Sequence, residues 1–146
     1  VRLVMVIDHS LITRKIVKIS LSRAGYDVVT FADCIQAYKR INETPPDLLL
    51  IGTEFEGMNG YEFAHLLRAH PEFANLPLLF LARRGGLVER FKARMAGGVG
   101  IVTKPLIVRE LVAQVQKVLD ERAEHPLADL PTTHLPSIPD NTENTQ

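Results

Sequence analysis

Five short apolar runs alternate with five stretches of helical character, and this rhythm limits the fold more than any other feature of the chain. The runs fall at 3–7, 26–31, 48–51, 77–82 and 99–103. Several carry apolar residues at consecutive positions instead of every second one, as in Leu48-Leu49-Leu50-Ile51. A strand of that kind needs cover on both faces, which points to a parallel sheet between helices. The intervening stretches predict helices at about 11–24, 33–42, 60–69, 87–96 and 107–122. Ile16, Val17, Leu21 and Ala24 form one helical stripe, Ile35, Tyr38 and Ile41 a second, and Leu111, Val115, Val118 and Leu119 a third. Ser10 is placed to cap the first helix and Gly25 to end it. Pro45-Pro46 stops the second, because proline lacks the helical donor and pushes its predecessor out of the α region. The expected architecture is a doubly wound α/β fold.

Ligand sites in such folds lie outside the carboxyl ends of the strands. Applied here, that rule selects Asp8-His9, the segment 52–54, Ala82-Arg83 and Thr103-Lys104.

Length and composition narrow the rest. A chain of 146 residues with 46% apolar residues fits one domain with a full core. Seventeen basic residues balance seventeen acidic ones, so nothing in the charge points to nucleic acid. The single cysteine, Cys34, excludes an internal disulfide and reads as an inert thiol on a helix. No apolar run is long enough to span a bilayer, and the first residues lack a signal-peptide layout, so a cytoplasmic location is expected. The chain starts at Val1 without an initiator methionine, as a trimmed or partial chain would. From 124 onward, prolines at 126, 131, 136 and 139 interrupt polar residues without any period. The expected division is a domain at 1–123 and a Pro-rich disordered tail or linker at 124–146.

Four motifs at consistent spacing carry a resemblance. Val4-Met5-Val6-Ile7-Asp8-His9-Ser10, Gly57-Met58-Asn59-Gly60, Ala96-Gly97-Gly98 and Thr103-Lys104-Pro105 resemble the signature segments of the response-regulator receiver (CheY-like) family. The resemblance covers 1–122 and implies a flavodoxin-like five-stranded parallel sheet in the order 2-1-3-4-5, with five helices. It further implies a role in two-component signal transduction. Receivers hold Mg²⁺ with two acidic residues after the first strand and a phosphoaccepting aspartate at the end of the third. The metal and a lysine stabilise the phosphoryl group, a Ser/Thr hydroxyl engages it, and an aromatic residue on the last strand reports the change.

Set against that pattern, Asp8 keeps the first acidic place and His9 replaces the second. Gly52 stands at the acceptor position, Ala82 at the switch hydroxyl and Ile101 at the switch aromatic, while Lys104 is retained. Glycine has nothing to phosphorylate. Three carboxylates against one lysine leave a receiver pocket at −2, which a divalent cation offsets. Here Asp8 and Lys104 balance, and an inward Arg83 would make the site net positive. Unit charges about 4 Å apart interact by roughly 4 kcal/mol at an effective dielectric near 20, so losing two carboxylates removes the attraction for the metal.

The expectations are therefore no bound metal, no cofactor, no catalytic residue and no phosphoacceptor. Asp8 and Lys104 read as a structural ion pair, His9 as a polar residue at a helix entrance, and Glu54 as a solvated side chain. With the chemistry stripped out, function falls to the surface. Leu106, Ile107 and Val108 open the last helix where a polar cap is expected, and suggest an interface on the face of the fourth helix, fifth strand and fifth helix. The expected role is a non-enzymatic pseudo-receiver that binds a protein partner or itself there, with no nucleic acid or membrane contact. The alternative is a divergent receiver switched by a small anion or nucleotide at a Lys104/Arg83 pocket.

Overall fold

The computed structural model describes residues 1–124, so the expected tail lies outside the described residues from 125 onward. The chain alternates β1 (Leu3–Ile7), α1 (Leu11–Arg23), β2 (Asp27–Phe31), α2 (Cys34–Glu43) and β3 (Leu48–Gly52). A small antiparallel hairpin follows, β4 (Glu54–Phe55) with β5 (Met58–Asn59), and leads into α3 (Gly60–Arg68). A 3₁₀ turn at Pro71–Phe73, β6 (Leu78–Ala82), α4 (Leu87–Met95), β7 (Gly100–Thr103) and α5 (Val108–Glu124) complete it. The main sheet is parallel throughout in the order β2-β1-β3-β6-β7. Counting its five strands alone, that order is the expected 2-1-3-4-5.

The consecutive apolar runs are explained by two cores, one on each sheet face. Val4, Val6, Leu48 and Leu50 point to α1 and α5, where Val17, Leu21, Leu111, Val115 and Leu119 meet them. Met5, Ile7, Leu49 and Ile51 point to the other side, toward Ile41 of α2, Phe63 and Leu67 of α3 and Ala93 of α4. Side chains alternate along a strand, so a run that is apolar at every position serves both cores. Burying each large aliphatic side chain fully contributes about 1.5–3 kcal/mol.

The helices start where polar caps permit. Ser10 accepts from the Thr13 N–H, Asp33 from the Gln36 N–H, and Asn59 with Glu62 forms a reciprocal capping box. One stripe is corrected. Helix α2 buries Cys34, Ala37 and Ile41, and leaves the expected Ile35 exposed. Both spacings pass through Ile41, and the small residues Cys34 and Ala37 let the helix approach the sheet more closely. Burial, with the Asp33 charge adding to it, pushes the Cys34 thiol up to about 11, so it stays protonated at neutral pH.

Candidate functional site

The carboxyl ends of β1, β3, β6 and β7 converge, as the topology requires, on Asp8. This residue is fully buried. Its N–H donates to the Phe31 carbonyl at 3.0 Å, which extends the β1–β2 ladder past the strand end. Oδ1 accepts the Ser10 N–H at 2.9 Å, at the N-terminus of α1, where the helix dipole favours an anion. The Asp8 carbonyl accepts from Nη1 of Arg14 at 2.7 Å. Across the pocket, Nζ of Lys104 stands 2.9 Å from Oδ2. Oδ2 has no aligned hydrogen-bond donor, so this contact is ionic in character. The Lys104 side chain is 18% exposed. The expected ion pair is thus present and buried on its acidic side.

Gly52 explains how that pair fits. A Cβ built at position 52 would lie 2.5 Å from Asp8 Oδ2 and 3.1 Å from Asp8 Cγ. The Asp8 carboxylate therefore occupies the volume that any side chain at the end of β3 would enter. Absence of a side chain at 52 and the Asp8–Lys104 contact are one arrangement. Ala82 is buried at the end of β6, and Ile101 packs against the core beneath α2–α4.

Arg83 departs from the conditional expectation of an inward, positive pocket. Its side chain is 72% exposed and turns to Glu54, with Nη2 at 2.7 and 2.8 Å from the two carboxylate oxygens. The hairpin presents Glu54 for this contact. Gly57 sits at φ 81°, a left-handed turn conformation that suits glycine, and the fold-back brings Glu54 opposite Asn59. Glu54 is exposed as expected, but it is paired instead of merely solvated. The site holds two separate neutral pairs, one buried and one at the surface. His9 is exposed at the entrance of α1, with Nδ1 3.8 Å from Asp8 Oδ1.

The hydrogen bond from Arg83 holds the Glu54 carboxyl below the usual carboxylate range, with the charges of Arg83, His9 and Lys104 acting in the same direction. A carboxyl lowered in the folded state contributes stability that is present above its unfolded pKa and lost as pH falls through the lowered value. Both partners are largely exposed, so the contribution is small. Accordingly, Arg83→Ala should leave Tm at neutral pH unchanged within error and flatten only a slight acid-side dependence, which thermal scans across the acidic range would read.

These residues do not fit the Mg²⁺ implied by the receiver resemblance. A hard divalent cation requires several oxygen donors. The pocket offers one buried carboxylate, already facing an ammonium, with an imidazole and a glycine at the other two positions. Among the described residues, no group of three or more His, Cys, Asp or Glu side chains could hold a metal ion. None of their helices is long and apolar enough to cross a membrane.

The three candidate interface residues divide. Leu106 packs onto the α1/α5 core, while Ile107 and Val108 remain about half exposed. Sequence reasoning missed the larger feature beside them. Helix α4 turns only Ala93 and the following Ala96 fully into the core, and directs Leu87, Val88, Phe91 and Met95 outward. At 100° per residue, 87, 91 and 95 lie on one stripe opposite Ala93, so the helix is amphipathic with its large apolar side chains toward solvent. Val99, just before β7, is also exposed. Their i, i+4, i+8 spacing was visible in the chain, although such a stripe ordinarily marks the core side.

Comparison with known proteins agrees with this geometry. The family profile described as "Response regulator receiver domain" matches residues 4–116. Protein PilG of Pseudomonas aeruginosa is 29% identical over 113 residues, covering 77% of this chain and 84% of that protein. The phosphate regulon transcriptional regulatory protein PhoB of Rhizobium meliloti is 33% identical over 104 residues, 71% of this chain but 46% of its own length. The chain therefore spans most of PilG and about half of the PhoB relatives. Among solved structures, a putative response regulator from Chloroflexus aurantiacus superposes with a TM-score of 0.78 at 27% identity, covering 82% of this chain and 98% of that one. Chemotaxis protein CheY4 of Vibrio cholerae gives 0.76 at 26% identity, with 80% and 98% covered. Strand order, the loop after β3, the Thr103-Lys104-Pro105 step and these matches converge, and the chain belongs to the response regulator receiver domain family.

Proposed function

We propose that this receiver domain works without phosphorylation, as a non-enzymatic pseudo-receiver in two-component-type signalling in the cytoplasm. Its output would be protein contact, with a partner or with itself, through the face made by α4, β7 and α5. The observation that carries this reading is the Asp8 carboxylate lying 2.5 Å from where a Cβ at position 52 would be, and 2.9 Å from Lys104 Nζ. The acceptor is missing, its volume is filled, and the lysine is already neutralised. Ala82 and Ile101 lack the hydroxyl and the ring that would propagate a switch.

The outward stripe of α4 supports the second half. Scattered exposed hydrophobic residues are ordinary, whereas Leu87, Phe91 and Met95 share one stripe of a single helix, and Val99, Ile107 and Val108 are exposed on the neighbouring β7 and α5 segments. A switching anion at Lys104 and Arg83 is less well supported. Each basic group already faces its own carboxylate, and one lies inside the site while the other lies outside.

Photo-crosslinking from position 91 tests the reading. Phe91 is 64% exposed, so a benzoylphenylalanine there should leave the fold intact. Discrete protein adducts are expected in cells at position 91 and not at exposed Lys15 on α1, unchanged when phosphodonors are removed. Equal labelling at both positions, or adducts that depend on phosphodonor, would sink the proposal.

A further inference from the structure

Strand β7 ends the sheet, so one side of its backbone has no neighbouring strand. Along that side runs a cleft of about 480 Å³, between α4 and α5. Its floor is the continuous stretch from Gly98 to Thr103, one wall carries Arg90 and Arg94, and the other carries Glu110 and Gln114. The ladder phase identifies the free backbone groups. Leu81 pairs with Val102 and Ala82 with Thr103, and the Lys104 N–H donates to the Ala82 carbonyl at 2.8 Å. Successive residues of a parallel ladder turn their backbone groups to opposite sides, so Val102 and Lys104 address β6. The N–H and C=O groups of Ile101 and Thr103 therefore face the cleft.

Proteins usually protect an open strand edge with charge, proline or a covering element. Here the strand itself, Gly-Ile-Val-Thr, carries no charge or proline. The charges stand on the flanking helices instead. Arg94 is exposed and makes no hydrogen bond or ion pair among the described residues. Arg90 donates through Nε to the Gly85 carbonyl at 3.1 Å, which holds its cation at the α4 wall.

We propose that the free edge of β7 is a docking site for an extended segment of a partner protein, which joins the sheet as a sixth strand. It would carry acidic side chains toward α4 and basic or amide side chains toward α5. The charge complementarity follows from strand geometry. Alternate side chains of an added strand project to opposite sheet faces, just as Ile101 packs on the α2–α4 side and Val102 on the α1/α5 side. One set meets Arg90 and Arg94, and the other meets Glu110 and Gln114. Main-chain bonds would supply affinity and the two walls selectivity, as in other strand additions. This rests on the reading that the α4–β7–α5 face is the contact surface, and it names the kind of partner.

The test uses the full chain, labelled with ¹⁵N, and a blocked hexapeptide of alternating Glu and Lys. Two control peptides accompany it. One has the same composition in Glu-Glu-Glu-Lys-Lys-Lys order, and one is alternating but N-methylated at every amide. The alternating peptide should slow amide exchange at Ile101 and Thr103 by about tenfold, with little change at Val102, whose N–H is already paired. Both controls should lack this effect. Arg94→Glu should weaken the alternating peptide about fivefold, as an exposed charge reversal does. Unprotected Ile101 and Thr103 at saturating peptide, or equal binding of the N-methylated form, would overturn strand addition. Either failure leaves crosslinking at position 91 standing, whereas loss of that crosslinking removes the face itself.

Discussion

Gly52→Asp, the change that would rebuild the family's acceptor, should destabilise the domain by about 3 kcal/mol and lower Tm by roughly 10 °C. The first cause is steric, since the new Cβ would lie 2.5 Å from Asp8 Oδ2 and would push that carboxylate away from Lys104. The second is electrostatic. Two carboxylates would share a buried site with one ammonium, and like charges in such a place disfavour ionisation of both. Gly52→Ala isolates the steric share and should cost about 1–2 kcal/mol. Millimolar Mg²⁺ should restore part of the loss in the aspartate variant, because a cation relieves carboxylate repulsion. It should do nothing for the alanine variant or the native chain. Thermal scans with and without Mg²⁺ read all three. An aspartate variant as stable as the native chain would mean that Asp8 does not sit against position 52.

Lys104→Met should cost more than Asp8→Asn, although the two substitutions break the same contact. Asp8 is fully buried, while Lys104 retains 18% exposure. Removing the lysine leaves a buried carboxylate without counter-charge, a loss of about 3–5 kcal/mol. Removing the aspartate charge leaves a lysine whose long stem can carry its ammonium toward water. Asparagine can also keep the acceptor for the Ser10 N–H, so Asp8→Asn should cost about 1–2 kcal/mol. The double variant should fall near Asp8→Asn, far from the sum, which is the signature of a coupled pair. Urea denaturation of the four proteins measures the cycle. A Lys104→Met variant milder than Asp8→Asn would place the counter-charge of Asp8 elsewhere.

Much of the fold was legible because its signals are local. Ser10, Gly25, Pro45-Pro46 and the consecutive apolar runs each mark an element or its end within a few residues. The Asp8–Lys104 pair was legible from topology, because the strand-end rule brings those residues to one edge. The direction of Arg83 was not. It depends on Glu54 being raised by a hairpin whose strands are two residues long, too short to show a period. The orientation of α4 was hidden for a different reason. Periodicity tells that Leu87, Phe91 and Met95 share a face, but not whether that face looks in or out. The clue lay in the small residues opposite. Ala93 and Ala96 allow α4 to sit close to a sheet where Gly98 abuts the Phe80 ring. Helix α2 repeats the lesson, since Cys34 and Ala37 face inward and the larger Ile35 does not.

Beryllofluoride with Mg²⁺ probes most directly whether the pocket still takes a phosphoryl group. Added to ¹⁵N-labelled protein, this phosphoryl mimic should leave the amide resonances of Gly52, Ala82, Thr103 and Lys104 where Mg²⁺ and fluoride alone leave them. A saturable shift centred on those four residues would mean that the pocket still binds a phosphoryl group and that the proposed phosphorylation-independent role is wrong.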